Sequence, residues 1–413
     1  MTNSVRPLGV RRHNLGRVLS HLADAGPSSR AQIAAAVGLT KAGVSSLAAD
    51  LLARGLVAEP GRRTAGDAGR PGSVLVVDGA GCAGLGLEVN VDYLSGCVVD
   101  LARQTRFQRV DATVDRRSPR RTLARLADVA GQAWDAAAAQ GLTVGGVGVA
   151  LPGLVDPDAG VLLHAPNLGW HDVDVARQLG DALGIDPRQV VLDNEANLAA
   201  SAELWFGDGA GWGDYLHVSG EIGVGAGIVR DGAIARGSHG FAGEIGHLSI
   251  DPRGPECGCG GRGCLERYCG QEAILRAAGV AARPTTSTGR PDGSLAQLLA
   301  ALEAGRTRPA RAVARAGEAL GRGVAGAVNV LDVDTVVLGG IYSRLAPWLV
   351  EPFTESLRRD AMAARWAPTR VEVSRLGPDA AVRGAAGLTV HRVLTDPASL
   401  SALVRGAPAG YRP

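Results

Sequence analysis

A short stretch rich in cysteine and glycine places the strongest constraint on how this chain folds. Cys257, Cys259 and Cys264 lie within eight residues, and His247 precedes the first of them by ten positions. Six cysteines in 413 residues are too few for a disulfide framework, so in a reducing compartment this cluster favours a metal. One imidazole and three thiolates complete a closed tetrahedral Zn²⁺ site, and the intervening glycines let a short loop wrap the ion. The sequence therefore predicts a structural zinc at these four residues.

Length and composition narrow the class of protein further. A chain of 413 residues is longer than one hydrophobic core usually serves, so we expect two or three domains. The 46% hydrophobic and 20% charged residues are typical of a packed globular protein and exclude bulk disorder. No apolar run of about 18 residues occurs, and the basic N-terminus is followed by no apolar signal segment. We therefore expect a cytoplasmic protein that has no membrane partner.

Positive charge is concentrated at the N-terminus. Residues 1–72 contain ten Lys and Arg against four acidic residues, which gives a net charge of +6, whereas the rest of the chain carries −4. A small basic segment joined to a mildly acidic body indicates that only the front end meets a polyanion. Nucleic acid is the partner that this distribution favours.

The same segment has the pattern of a winged helix-turn-helix over residues 1–78. Apolar residues recur at helical spacing over 13–22, and Ser29 and Thr40 can cap two further helices that are separated by Gly38. Predicted strands at 56–58 and 74–77 flank a polar loop, 60–72, which contains three arginines and four glycines. A small helical bundle with a solvated polar face is the alternative.

The third helix of this segment is the predicted recognition helix. Its apolar residues must face the core, so the polar residues of the opposite face should read bases in the major groove. Arg70, which Pro71 holds extended, fits a narrow minor groove, although the same sequence also fits an ordinary linker. The predicted DNA contacts are Thr40, Lys41, Ser45, Ser46 and Arg70.

After residue 78 the sequence alternates short Val-, Leu- and Gly-rich strands with Ala-rich helices. Such alternation predicts an α/β fold, and the pattern repeats in two sets, which indicates two lobes. The first set has strands at 83–89, 94–100 and 144–150 and a helix at 123–140. The second set has strands at 190–192, 215–220, 225–230 and 335–338 and helices at 198–206 and 310–330.

Three segments of the body resemble the signature of the ROK family of repressors and sugar kinases. These are residues 243–266, which contain the cysteine cluster, the run Ala-Leu-Pro-Gly-Leu-Val-Asp at 150–156, and Asn-Glu-Ala-Asn at 194–197. The resemblance implies a winged helix-turn-helix followed by a two-lobed, actin-like ATPase fold. The first lobe would span 79–192 and be completed by a C-terminal helix at about 379–395, and the second, with the zinc loop and the sugar site, would span 193–378.

The resemblance also implies which residues contact a sugar. Each hydroxyl of a polyol both donates and accepts hydrogen bonds, so convergent carboxylates and an amide suit such a ligand. The alternative for Glu244 and Glu266 is a pair of solvated loop acids. The implied sugar contacts are Pro152, Gly153, Asn194, Glu195, Glu244, His247 and Glu266.

Other segments depart from the pattern of an active kinase of this family. The family's phosphate loop, Asp-x-Gly-Gly-Thr, is replaced by residues 88–92, Glu-Val-Asn-Val-Asp. The second phosphate segment, Gly-Thr-Gly-x-Gly, is Ser-Gly-Glu-Ile-Gly at 219–223, which lacks the threonine hydroxyl and brings in the carboxyl group of Glu221; at the catalytic aspartate the chain has Glu195. Carboxylates repel a polyphosphate, and a longer side chain displaces the catalytic base, so we expect neither ATP binding nor phosphotransfer and no catalytic residue.

These replacements resemble the xylose-operon repressors within the family. They imply a sugar-responsive repressor of a sugar-catabolic operon that binds palindromic operator DNA as a homodimer, or as a tetramer. Xylose or a related aldose would be the inducer. The alternative is an ATP-dependent sugar kinase with an appended DNA-binding domain.

Overall fold

A computed structural model describes residues 7–60, 74–111, 114–115, 118–281 and 293–400. Arg70 and most of the predicted polar loop lie outside these residues. Within them, no single helix is long and apolar enough to cross a membrane; Arg30–Val37 and Lys41–Ala53 meet that length and composition test only as a pair bent by 111°.

The N-terminal head has the predicted winged helix-turn-helix arrangement. Its elements are α1 (Pro7–Ala25), β1 (Ser28–Ser29), α2 (Arg30–Val37), α3 (Lys41–Ala53), β2 (Val57–Ala58) and β3 (Val74–Val77). The Ser29 side chain and Gln32 form a capping box at α2, and the Thr40 hydroxyl accepts the Gly43 N–H at α3, so both predicted caps are confirmed. Strand β3 pairs antiparallel with β1 and with β2. Helix α1 begins six residues earlier than its apolar spacing predicted.

The first lobe is built on a five-stranded sheet with the order β11-β7-β4-β5-β6 and carries a smaller sheet with the order β10-β9-β8. Its elements are β4 (Cys82–Val89), β5 (Leu94–Asp100), β6 (Thr105–Asp111), α4 (Pro119–Ala139), β7 (Thr143–Leu151), β8 (Leu154–Asp156), β9 (Val161–Ala165), β10 (Trp170–Asp174), α5 (Val175–Leu183) and β11 (Val190–Asn194). The predicted boundary at 192/193 falls inside β11, whose parallel pairing with β7 continues through Asn194.

The second lobe is built on a five-stranded sheet with the order β14-β13-β12-β15-β16. Its elements are α6 (Glu195–Phe206), β12 (Tyr215–Gly220), β13 (Val224–Arg230), β14 (Ala233–Ile234), α7 (Glu266–Cys269), α8 (Gln271–Ala278), α9 (Gly293–Glu303), α10 (Thr307–Leu331), β15 (Thr335–Gly340), α11 (Ile341–Asp360) and β16 (Arg370–Val373). The sheet packs against α10 and α11 in a continuous apolar core.

The last helix, α12 (Ala380–Thr395), packs against the first sheet, α6 and the head. Its contact with the sheet needs glycine at two positions. A Cβ at Gly86 would lie 2.2 Å from Val382 O, and a Cβ at Gly148 would lie 1.9 Å from Ala385 O. Its far end shares a core with α1, in which Val390, Val393 and Leu394 pack with buried residues of the head. One helix therefore contacts both the body and the winged helix-turn-helix head.

Candidate functional site

The predicted metal ligands converge in the loop that follows β14. The ligand atoms of His247, Cys257, Cys259 and Cys264 all lie within 4.8 Å of one another. The Cys259 and Cys264 sulfurs are 3.7 Å apart, and the Cys257 sulfur lies 3.7 Å from Nδ1 of His247. Ligands bound at about 2.0–2.3 Å in a tetrahedron are separated by about 3.5–3.8 Å, so the donor set and its spacing fit a zinc ion.

The loop is held in place by its own backbone. The Cys257 N–H donates to Gly261 O at 2.9 Å, and the Gly261 N–H donates to the Cys259 sulfur at 3.4 Å. Leu265, which is fully buried, anchors the end of the loop in the core of the second lobe. The neighbouring segment 248–250 also supports the loop, since the Ile250 N–H donates to Gly263 O and the Leu265 N–H donates to Leu248 O, each at 2.9 Å.

All seven predicted sugar contacts line one cavity between the lobes. The cavity has a volume of about 80 Å³, and the metal loop forms one of its walls through Gly258 and Cys259. Nε2 of His247 lies 3.9 Å from a Glu244 carboxylate oxygen, while Nδ1 is turned to the cysteine cluster. The His247 ring therefore joins the metal cluster to the cavity. The roles of these residues in binding a sugar stay predictions.

Asn194 and Asp193 shape the opposite wall at the end of β11. The Asn194 side chain caps α6 by accepting the Ala196 N–H at 2.8 Å, and its amide donates to Gly153 O at 2.9 Å. Asp193, which is 3% exposed, accepts hydrogen bonds from the Arg236 guanidinium and from Asn197. The amide of Asn194 keeps one N–H for a ligand, and its other bonds position Gly153 and Glu195.

The carboxyl groups of the cleft have altered acidity. Burial raises the pKa of Glu195 to about 7, and the neighbouring Glu244 carboxylate adds to the rise. Burial also raises the pKa of Glu244, which His247 partly offsets. A carboxyl that is partly protonated near neutral pH both donates and accepts hydrogen bonds, as a sugar hydroxyl requires.

A second cavity lies beside the first, where the family resemblance places the phosphates of a nucleotide. It has a volume of about 40 Å³ and is lined by Asn90, Asp92, Tyr93, Glu221 and Arg344, among others. Burial raises the pKa of Glu221 well above its usual value, with further contributions from Glu195 and Glu88. The Tyr342 ring covers the adjacent backbone, since a Cβ at Gly220 would lie 2.5 Å from it.

Glu88, the first residue of the replaced phosphate loop, is buried at the end of β4. It is 2% exposed, accepts the Tyr93 hydroxyl at 3.0 Å, and its second oxygen has no partner among the described residues. Burial raises the pKa of Glu88 to about 8, and Glu195 adds to the rise. The segment therefore presents side chains where a phosphate-binding loop presents backbone amides.

The predicted reading face of α3 is only partly free. Thr40, Lys41 and Ser46 are exposed, whereas Ser45 is half-buried and its hydroxyl donates to Lys41 O at 2.9 Å. Arg11, which the sequence did not single out, donates to the Ser46 hydroxyl at 3.3 Å and pairs with Asp50. The placement of these residues at DNA stays a prediction, and Arg70 lies outside the described residues.

The cavity also contains residues that sequence reasoning missed. Ala165, Pro166 and Asn167 line it from the turn between β9 and β10. Asn167 and Glu266 both lie next to Gly223, because a Cβ at Gly223 would lie 2.8 Å from a Glu266 oxygen and 3.6 Å from the Asn167 amide nitrogen. A polar residue in a Pro-Asn-Leu-Gly turn between strands was the available signal.

Known protein families match both the head and the two-lobed body of the chain. The ROK family model matches residues 84–392, and a MarR family model matches residues 16–68 of the head. A putative xylose repressor from Caldicellulosiruptor sp. (strain Rt8B.4) is 31% identical over 401 residues, which cover 94% of this chain and 98% of that protein.

Among solved structures, one matches nearly the whole chain and another matches about three quarters of it. A ROK family transcriptional regulator, a homologue of the E. coli MLC protein, has a TM-score of 0.79 and 26% identity and covers 96% of this chain and 99% of its own. The ROK hexokinase from Thermus thermophilus has a TM-score of 0.58 and 32% identity and covers 74% of this chain and 97% of its own. The match of residues 84–392 and the full-length relative show that the chain belongs to the ROK family.

Proposed function

We propose that this protein is a transcriptional repressor that binds an aldose in the cleft between its lobes, releases operator DNA in response and carries out no phosphotransfer. A structural zinc would hold the loop beside the sugar, and the protein would act as a homodimer on a palindromic operator, in the cytoplasm where the DNA is. One observation carries the proposal: a polar cavity beside the metal loop is linked through α12 to a winged helix-turn-helix.

The cavity offers the groups that a sugar requires. Glu244 and Glu266 supply carboxylate oxygens, Nε2 of His247 is turned towards Glu244, and Asn194 keeps one free N–H. A zinc ion bound at Nδ1 would fix the tautomer and orientation of the His247 ring, which makes the metal part of the sugar site. Removal of one sugar hydroxyl would leave a polar group unpaired, which favours one ligand over its analogues.

The neighbouring cavity argues against a kinase. Asp92 and Glu221 line it, and Glu88 bonds to Tyr93 behind it. These acidic side chains offer the phosphates of ATP no positive charge, and Asn90 and Val91 replace the glycines that would let backbone amides approach them. Glu195 would place a catalytic carboxylate one methylene away from its usual position.

Helix α12 supplies the route from sugar to DNA. Asn194 and Glu195 stand at the first turn of α6, and a Cβ at Gly384 of α12 would lie 2.0 Å from Leu198 O of α6. Backbones in such close contact move together, so a shift of α6 on sugar binding displaces α12.

Helix α12 also makes close backbone contacts with the head. A Cβ at Gly16 of α1 would lie 1.9 Å from Thr395 O, and Ser20 donates to Leu394 O at 3.2 Å. Arg12 and Asp396 form an ion pair beside these contacts. A displaced α12 therefore reorients α1 and the head, and two heads that lose their spacing of about 34 Å no longer fit two half-sites.

The relatives support this function over a kinase. The full-length relative is named a putative xylose repressor, and the structure similar over nearly the whole chain is a transcriptional regulator, whereas the hexokinase lacks a counterpart to about a quarter of the chain. Xylose is accordingly the first aldose to test.

The experiment is operator binding, measured by fluorescence anisotropy, with and without the aldose that stabilises the protein most in a thermal screen. We expect saturating sugar to weaken operator binding by roughly 5- to 150-fold, which is the range of typical coupling free energies. Glu244→Gln should keep operator affinity but need roughly 10- to 150-fold more sugar for release, while Glu256→Gln, a change at an exposed acid of the metal loop, should behave as the parent protein. Operator affinity that stays within about twofold, although the sugar binds, would contradict the proposal.

A parallel experiment tests the DNA contacts. Lys41→Ala should weaken binding to all sequences and reduce the salt slope by about 1, as expected for loss of one phosphate contact. Arg70→Ala should mainly relax sequence preference if that side chain enters the minor groove. Unchanged binding in both variants would show that the recognition surface lies elsewhere on the head.

A further inference from the structure

Two histidines stand side by side on the small sheet of the first lobe, away from the cysteine cluster. His164 on β9 and His171 on β10 are directly opposite in the antiparallel register. Their Nδ1 atoms are 3.0 Å apart, and the ring centroids are separated by 4.5 Å with 31° between the ring planes. The two rings therefore lie beside each other with one nitrogen of each brought together.

This spacing is that of two cis ligands on one metal ion. Imidazole nitrogens bind transition metals at about 2.0–2.1 Å, so two nitrogens 3.0 Å apart subtend roughly 90–100° at a shared ion. That angle suits the square-planar or octahedral geometry of Ni²⁺ and Cu²⁺ better than a tetrahedron, and imidazole is a ligand that both ions favour. The cysteine cluster, with its soft thiolates and wider spacing, suits zinc instead.

The surroundings of the pair leave room for a metal. His171 is exposed and His164 is half-buried, so water can complete the coordination shell. Without metal, one Nδ1 donates a hydrogen bond to the other. When an ion binds, the donating ring moves its proton to Nε2, both Nδ1 lone pairs face the metal, and no net proton is released.

The two strands also border the candidate sugar cavity. The turn that joins β9 to β10 carries Pro166 and Asn167, which line the cavity. The backbone of His164 touches the cavity wall as well, because a Cβ at Gly153 would lie 2.2 Å from its carbonyl oxygen. An ion that links the two strands would stiffen the turn and restrict Asn167.

We propose that His164 and His171 form a binding site for a divalent transition metal of the Ni²⁺ or Cu²⁺ type, and that the bound ion changes the sugar affinity of the adjacent cavity. The effect on sugar affinity rests on the proposed function, whereas the metal site does not depend on it.

The test is isothermal titration calorimetry of untagged, zinc-loaded full-length protein with Ni²⁺ and no sugar. We expect one Ni²⁺ site per chain, with affinity reduced at least tenfold in His164→Ala and in His171→Ala. His239→Ala, which removes an exposed histidine outside the pair, is the control and should retain the site. Absence of Ni²⁺ binding, or equal affinity in the parent protein and both pair variants, would overturn the site.

A second titration tests the coupling. The aldose is titrated into the parent protein and into His171→Ala, each with and without saturating Ni²⁺. A shift of at least twofold in sugar affinity that occurs only in the parent protein supports the coupling, and an unchanged affinity overturns it. Failure of every protein to bind any aldose would contradict the proposed function and leave the Ni²⁺ result standing.

Discussion

The cleft between the lobes contains two neighbouring cavities that suit different ligands. The larger one presents an amide, an imidazole and carboxylates around a space of about 80 Å³, and the segment 221–223 separates it from a smaller one of about 40 Å³. In the smaller cavity, where the family resemblance places phosphate, burial raises the pKa values of Tyr93 and Glu221. Both cavities are rich in acids, so acidity alone does not distinguish them.

The difference lies in which partners the acids have. Glu244 and Glu266 lie beside His247, with a ring nitrogen 3.9 Å from an oxygen of each carboxyl, and a zinc ion would hold that ring in place. Around Glu221 the nearest charges that raise its pKa are other carboxyls, with Arg344 as an opposing influence. An uncharged polyol tolerates the first arrangement, whereas a polyanionic nucleotide is disfavoured by the second.

Loss of zinc should have the largest effect, because it removes one wall of the larger cavity. Cys259→Ser should lower the melting temperature and abolish sugar binding, since metal-binding free energy in such loops acts as folding free energy. Metal content, calorimetry with the aldose and thermal unfolding provide the measurements. Cys269→Ala, a buried cysteine outside the ligand set, is the control that should lose stability but keep zinc and sugar binding. Normal sugar affinity in metal-free protein would refute this role of the loop.

A carboxylate of the larger cavity should matter next. A hydrogen bond to a charged group contributes about 1.5–3 kcal/mol, so Glu244→Gln should weaken sugar binding by roughly 10- to 150-fold. The change should leave any ATP binding as it is in the parent protein, because Glu244 does not line the smaller cavity. Calorimetry measures the sugar affinity of Glu244→Gln and of the control Glu256→Gln, which should bind sugar normally. Equal sugar affinity in Glu244→Gln would remove Glu244 from the sugar site.

Glu88, which lies behind the smaller cavity, should make stability depend on pH. Burial raises the pKa of Glu88 to about 8 from 4.5, so between pH 5 and 8 the native protein binds more protons than the unfolded chain. Stability therefore falls as pH rises through this window, by at most about 1.4 kcal/mol per pH unit for one group. Glu88→Gln should reduce that slope in urea unfolding at pH 5.5, 6.5 and 7.5. A slope as steep as that of the parent protein would show that Glu88 ionises normally.

Restoring glycines to the phosphate loop should have the smallest effect. The triple change Asn90→Gly, Val91→Gly and Asp92→Thr restores the last three residues of the family pattern but leaves Glu88, Glu195 and Glu221 in place. We expect no formation of sugar phosphate from ATP in a coupled assay, with the Thermus thermophilus hexokinase as the positive control. Turnover in the triple variant would mean that the loop alone separates the sensor from a kinase.

Sequence reasoning was most successful where a local rule decides the structure. Ser29 and Thr40 cap helices because their side chains satisfy free N–H groups, and strand β5 coincides with its predicted range, 94–100. The cysteine cluster was visible because four soft ligands at short spacing have few other uses.

It failed where long-range contacts decide the structure. Strand β6 is largely exposed and polar, and β8, β9 and β10 are three to five residues long, so none has a distinctive pattern. Asn167 reaches the cavity only because β9 and β10 pair, and Arg11 reaches Ser46 across 35 residues. The link from α6 through α12 to α1 joins residues that are nearly two hundred or more positions apart, which no local pattern encodes.

The most direct test of this account is to compare the two cavities in a single sample. Zinc-loaded protein is titrated by calorimetry with the best aldose and then with a non-hydrolysable ATP analogue, in both orders, and the same sample is assayed for sugar phosphate with ATP. We expect saturable binding of one aldose per chain and no heat from the nucleotide in either order, together with no sugar phosphate. Saturable nucleotide binding that strengthens in the presence of sugar, or sugar phosphate above background, would contradict it.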